Sequence, residues 1–174
     1  MSATLRHSQT HIVMKQLFAF LFLLPVMLQA GRLGFSQMEN GDRIEVTLRS
    51  TGCFHDNTSY YGVSKTKGAY LFTEYRITWK RLPTPEMVEK KVLGTLTLTA
   101  QEVAGLDALL AFYRGKKSVG STTTVSLVVE YHEPGGLVGV EKLWDESGGW
   151  GLESRKDLVT FYQLSRRLEG TASR

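Results

Sequence analysis

The sequence predicts an α+β fold: one antiparallel sheet of about five or six strands with two helices packed on one face. Three observations carry that expectation. Several short stretches alternate polar and apolar residues with period two, two segments repeat their apolar residues at helical spacing between cap and stop residues, and the turns joining successive strands are short enough to be hairpins.

Arg43 to Arg49 (RIEVTLR) sets Ile44, Val46 and Leu48 on one face of a half-buried strand. Gly52 to Gly62 (GCFHDNTSYYG) reads as the loop that follows, with a second strand over Tyr60 to Ser64 and a turn at Lys65 to Gly68. Ala69 to Leu82 forms a third strand with Leu71, Tyr75, Ile77 and Trp79 on one face, Trp79 being expected in the core. Pro83 and Pro85 end it, because neither donates to a ladder. Val92 to Leu98 alternates again and groups Val92, Leu96 and Leu98.

Thr99 and Glu102 form a capping box that opens a helix, in which Val103, Leu106, Leu109, Leu110 and Tyr113 share a face and Gly115 is the stop. Thr122 to His132 then sets Thr123, Val125, Leu127, Val129 and Tyr131 on one face. Glu133 to Gly136 turns, and Leu137 to Trp144 returns. A glycine-rich loop, Asp145 to Gly151, precedes a second helix capped by Ser154, with Asp157 near its positive end. Leu158, Phe161, Leu164, Leu168 and the intervening Tyr162 form its apolar face, and Gly170 ends it. Residues 69–115 and 122–170 thus both read hairpin then helix. A duplication would explain that order, although residue identity between the halves is slight.

A chain of 174 residues suits one domain with a sizeable core. Its net charge of +4 is unevenly spread: residues 1–37 carry Arg6, Lys15 and Arg32 and no acid, leaving 18 basic and 17 acidic residues beyond. A domain so near neutrality offers no electrostatic case for nucleic acid, and no such partner is expected. Lys15 precedes the apolar run Leu17 to Leu28 (LFAFLFLLPVML), well short of the ~20 residues a membrane-spanning helix needs. A basic residue, a short apolar run and a small-residue site describe a secretory signal peptide.

Two cleavage points fit. A cut before Gln37 puts Gly34 and Ser36 at −3 and −1 and is preferred; a cut after Ala30 has Leu28 at −3. Residues 1–36 are therefore read as an N-terminal extension and signal peptide, with Met14 as the alternative start, and residues 37–174 as one globular domain. The expected location is secreted or periplasmic, with no stable membrane span after cleavage.

Cys53 is the sole cysteine, so no internal disulfide forms. A packed, inert thiol is the leading expectation for it, since free cysteines are so often buried. The alternative is a nucleophile with His132 or His55 as base and Asp56 or Glu133 orienting the imidazole. His132 reaches Cys53 in that scheme if the first and fifth strands are neighbours. The same groups lack the paired spacing of a zinc site, and no metal or other cofactor is expected. Asn57-Thr58-Ser59 is a glycosylation triplet, or equally a set of turn-capping side chains. Tyr60, Tyr61 and Trp150 are the candidate binding aromatics. No phosphate loop and no hydrolase or metalloprotease motif occurs.

The sequence thus favours an exported, non-catalytic binding or inhibitory module for an envelope or extracellular macromolecule, protein or glycan. A small thiol-dependent enzyme and a structural envelope protein are the alternatives.

Overall fold

The alternating stretches form six strands. In the computed structural model, which describes residues 34–80, 85–116, 122–147, 151–152 and 154–172, these are β1 (Arg43–Gly52), β2 (His55–Thr66), β3 (Ala69–Lys80), β4 (Glu86–Leu98), β5 (Thr124–Glu133) and β6 (Gly136–Asp145). Helix α1 (Ala100–Arg114) connects β4 to β5, and α2 (Phe161–Ala172) follows β6. Every neighbouring pair is antiparallel, in the order β4-β3-β2-β1-β5-β6. The α+β architecture is the one expected, with hairpin then helix occurring twice. Residues from Gly34 onward form one compact unit. Residues 1–33 of the expected leader lie outside the described residues, as do Pro83, Gly148, Gly149 and Trp150.

Period-two alternation sends Ile44 and Val46 of β1, Tyr61 and Val63 of β2, Phe72 of β3, and Leu127 and Val129 of β5 to one face. There Leu106, Leu109 and Leu110 of α1 and Phe161 and Leu164 of α2 cover them. Tyr61 stacks on Phe72 at 5.5 Å and on Phe161 at 5.2 Å between ring centroids. Each such ring, taken fully from water, stabilises the fold by about 1.5–3 kcal/mol.

Helix α1 starts as expected: Thr99 Oγ1 accepts from the Glu102 amide, and the Glu102 carboxylate accepts from the Thr99 amide at 2.8 Å. Gly105 lets it approach the segment before α2, where the Val159 amide donates to the Gly105 carbonyl at 3.2 Å. Helix α2 differs from expectation. It begins at Phe161 behind a second reciprocal cap, Thr160 with Gln163, which satisfies first-turn amides as Thr99 and Glu102 do. Ser154 instead donates to the Gly151 carbonyl, and Asp157 pairs with Arg155, so neither serves the helix end. The helix also runs past Gly170 to Ala172.

A tight turn and a bulge shape the sheet. Lys67 and Gly68 both have positive φ, 51° and 80°, the backbone of the two-residue hairpin turn joining β2 to β3. In β4 the register shifts by one residue, so that Gly94 faces Glu74 while Val92 faces Tyr75. Such a bulge turns every following side chain over. Leu96 and Leu98 therefore face the helices, but Val92, expected beside them, points to the opposite face. Among the described residues no helix is long and apolar enough to cross a membrane.

Candidate functional site

The face of the sheet away from the helices carries large apolar side chains among its polar ones. On β3 the helices take Phe72, while Tyr75, Ile77 and Trp79 fall on the uncovered face; Trp79, expected in the core, is 46% exposed. The larger apolar face of this strand is the outer one, and periodicity alone gives no means of choosing between them.

Beyond Tyr75 the β3–β4 ribbon leaves the sheet. The β2–β3 ladder runs from Thr66–Ala69 to Tyr60–Tyr75 and stops there. Yet β2 extends five residues further, to His55, still paired with β1, and β3 extends five further, to Lys80, still paired with β4. Residues 55–59 and 76–80, which do not pair with each other, thus bound a notch between two ribbons, each about 17 Å long at strand rise. Strand geometry aims about half of their backbone N–H and C=O groups into the gap. Tyr60 stands at its closed end, and the indole N–H of Trp79, four residues along β3 from Tyr75, donates to the Tyr60 hydroxyl at 3.0 Å.

The ribbon curls over the uncovered face. Lys90 of β4 reaches Glu45 of β1 at 2.5 Å, although in a flat sheet three strand spacings, about 14 Å, would separate those strands. Its ammonium passes 4.3 Å above the Tyr75 ring. Gly62 makes this arrangement fit: a Cβ there would lie 3.0 Å from Tyr75 Cε2. Around the notch Met87 and Val88 are 50% and 63% exposed, and Phe54 at the β1–β2 tip is exposed too.

The sequence-predicted residues fall as follows. GCFHDNTSYYG is not a loop: Cys53 and Phe54 alone form a two-residue turn, and β2 begins at His55. Cys53 is exposed at that turn, against the packed thiol expected of it. Strands β1 and β5 are neighbours, but β5 pairs His132 with Arg43, whereas Cys53 follows Gly52 at the opposite end of β1. About 30 Å of strand separates the two, so His132 is no base for this thiol. His55 is local, but its Nε2 lies 2.9 Å from Ser50 Oγ, and Cys53 makes no side-chain hydrogen bond among the described residues. Asp56 accepts two hydrogen bonds from Arg49, at 2.9 and 2.8 Å, which hold its carboxyl below the usual range. It orients no imidazole. Asn57 is exposed on β2 opposite Ser50.

Of the binding aromatics, Tyr60 sits at the notch, Tyr61 is buried in the core, and Trp150 lies outside the described residues. The tyrosines follow from alternation: adjacent residues of one strand face opposite ways.

Cys53, His55, Asp56 and His132, whose spacing gives no zinc signature, are in addition divided by the same ~30 Å of strand. A different trio meets on the uncovered face, where Glu45, Glu130 and His132 each present one ligand atom within 4.8 Å of the others. Glu45 and Glu130 are directly opposite across β1–β5, a repulsive arrangement unless offset. Lys90 and Arg43 offset it, at 2.5 and 3.3 Å from Glu45 Oε1. A divalent ion at these ligands must compete with two cations already on Glu45.

Neither a protein-family model, nor a curated protein, nor a solved structure matches this chain.

Proposed function

We propose that the protein is an exported, non-catalytic binding module that holds an extended polypeptide segment of a partner protein in the notch between the β1–β2 and β3–β4 ribbons. The observation that carries this reading is the ladder that stops at Tyr60–Tyr75 while both strands continue. Backbone donors and acceptors aimed into a gap of strand length suit an added strand, which gains main-chain hydrogen bonds from the edge and side-chain contacts from alternate positions. Tyr60, Trp79, Met87 and Val88 supply apolar surface beside it. A glycan is a poorer match, because it cannot reproduce the alternating main-chain pattern. The thiol-enzyme alternative loses support with the separation of Cys53 from His132.

Displayed random peptides selected on the immobilised protein provide the test. Extended, β-branched-rich sequences are expected, with binding that falls at least tenfold when alternate peptide amides are N-methylated and again in Trp79→Ala. Ligands indifferent to both changes would count against the notch, and selection of oligosaccharides alone on a glycan array would replace it with a sugar site.

A further inference from the structure

Phe35 is a core residue, yet it lies upstream of the cleavage bond that the sequence prefers. Its side chain is fully buried, edge-on to Phe161 with ring centroids 6.3 Å apart. Asp107 of α1 fixes its backbone: the carboxylate accepts from the Phe35 amide at 2.5 Å and from the Ser36 amide at 3.1 Å. The Ser36 carbonyl accepts from the Tyr70 hydroxyl at 3.1 Å. Even Gly34 lies against this carboxylate, since a Cβ there would be 2.9 Å from Asp107 Oδ1. All of these partners are distant in sequence, so the contacts belong to the folded domain.

A cut before Gln37 discards this arrangement. It opens a phenyl-sized cavity against Phe161 and strips the Asp107 carboxylate of two N–H donors. Signal cleavage acts on the chain before it folds, so the fold does not shield the bond. The consequence falls on the stability of the product.

We infer that the export signal is removed on the N-terminal side of Phe35, where the sequence offers the Ala30–Gly31 bond, and that Phe35 remains in the mature chain as part of its core. Hydrolysis by one water leaves a carboxylate on Ala30 and a free amine on Gly31. The inference rests on the proposed export, and the experiment separates the two. The full chain, tagged at its C-terminus and expressed in an exporting bacterial host, is recovered from the extracytoplasmic fraction and its N-terminus sequenced. A start at Gly31, or elsewhere before Phe35, supports the inference. A start at Gln37 or beyond overturns it and leaves export standing. Unprocessed precursor held in the cell overturns export itself.

Chains begun at Gly31 and at Gln37 then test the physical reason. The shorter should melt lower by on the order of 10 °C, or fail to fold. Equal melting temperatures would remove the argument. The milder Phe35→Leu in the longer chain, with an intermediate loss expected, ties any effect to the buried ring.

Discussion

Cys53 and His132 occupy opposite ends of one strand pair: β1 aligns Arg43 with His132 and ends at Gly52, beside the thiol. The sequence offers the two as a nucleophile and its base, and neighbouring strands do bring β1 and β5 together. Register, not adjacency, decides the outcome. Cys53 is left as an exposed thiol at a hairpin turn. One thiol should therefore react with a disulfide reagent in the native protein without denaturant, and oxidation should yield a covalent dimer that Cys53→Ser abolishes. A thiol that labels only after unfolding would contradict the turn.

Gly105 and Gly170 are both helical glycines, and they predict opposite responses to alanine. In a helix interior, Gly→Ala is favourable by about 1 kcal/mol. At Gly105 the new Cβ would meet Val159 Cγ2 at 2.5 Å, Cβ at 2.9 Å and the backbone nitrogen at 3.0 Å. Backbone cannot yield cheaply, and overpacking costs about 1–3 kcal/mol. Gly105→Ala should lower stability by about 1–2 kcal/mol in urea denaturation. Nothing lies within 4 Å of the corresponding point at Gly170, so Gly170→Ala should raise it by about 0.5–1 kcal/mol. A gain at Gly105 would mean that α1 stands further from Val159.

Acid and alkali should each weaken the fold through a named group. Arg114 donates to Glu141 from Nε and Nη2 at 2.8 and 2.7 Å, and the Tyr131 hydroxyl donates to it at 2.9 Å. The Arg114 hydrogen bonds, chiefly, hold the Glu141 carboxyl below its usual range against the opposing effect of burial. A depressed carboxyl contributes stability that is present above its unfolded pKa and lost as pH falls through the folded one. The contribution at pH 7, screened by solvent, is on the order of 1 kcal/mol. The stability gap between wild type and Glu141→Gln should accordingly narrow as pH drops below about 4. At the other limit, burial first and the charge of Asp145 second push Tyr113 up to about 12. That phenol costs nothing below about pH 10 and draws the protein toward unfolding between there and its folded pKa, a loss that Tyr113→Phe should reduce.

The parts of the fold that the sequence reveals are those set by local chemistry. Thr99 with Glu102 and the Leu106, Leu109, Leu110 spacing define α1, and Val125 to Tyr131 define β5, because caps and periodicity act within a few residues. The errors arise where a distant partner decides. Trp79 lies outside because helices settle on the Phe72 face, and Val92 is turned over by a bulge in the β3–β4 ladder that no local residue pattern announces. His55 to Ser59 looks like loop because its polar residues pair only with β1 and have water on the far side. The second helix is misplaced for a different reason: Thr160-Phe161-Tyr162-Gln163 carries a capping box as plain as the first, but Ser154 and Asp157 offer an earlier start. The notch itself has no local signature, since it consists of two strands failing to pair.

Tyr60 and Tyr61 give the most direct separation of binding from folding, because one residue step exchanges solvent for core. Tyr61 stacks on Phe72 and Phe161, and burial raises the pKa of its phenol. Tyr61→Ala removes a ring from a packed interior and should cost about 3–5 kcal/mol, visible as a large fall in denaturation midpoint. Tyr60 meets Trp79 through one exposed hydrogen bond, so Tyr60→Ala should cost about 1 kcal/mol or less. Peptides selected on the wild-type notch should nevertheless bind this variant at least tenfold more weakly, the loss expected of an aromatic contact at a binding surface. Tyr61→Leu, which restores apolar volume, should recover much of the stability and keep the same peptides. If Tyr61→Leu loses the peptides while Tyr60→Ala retains them, the partner surface lies on the helical side, and the notch is only the place where the sheet divides.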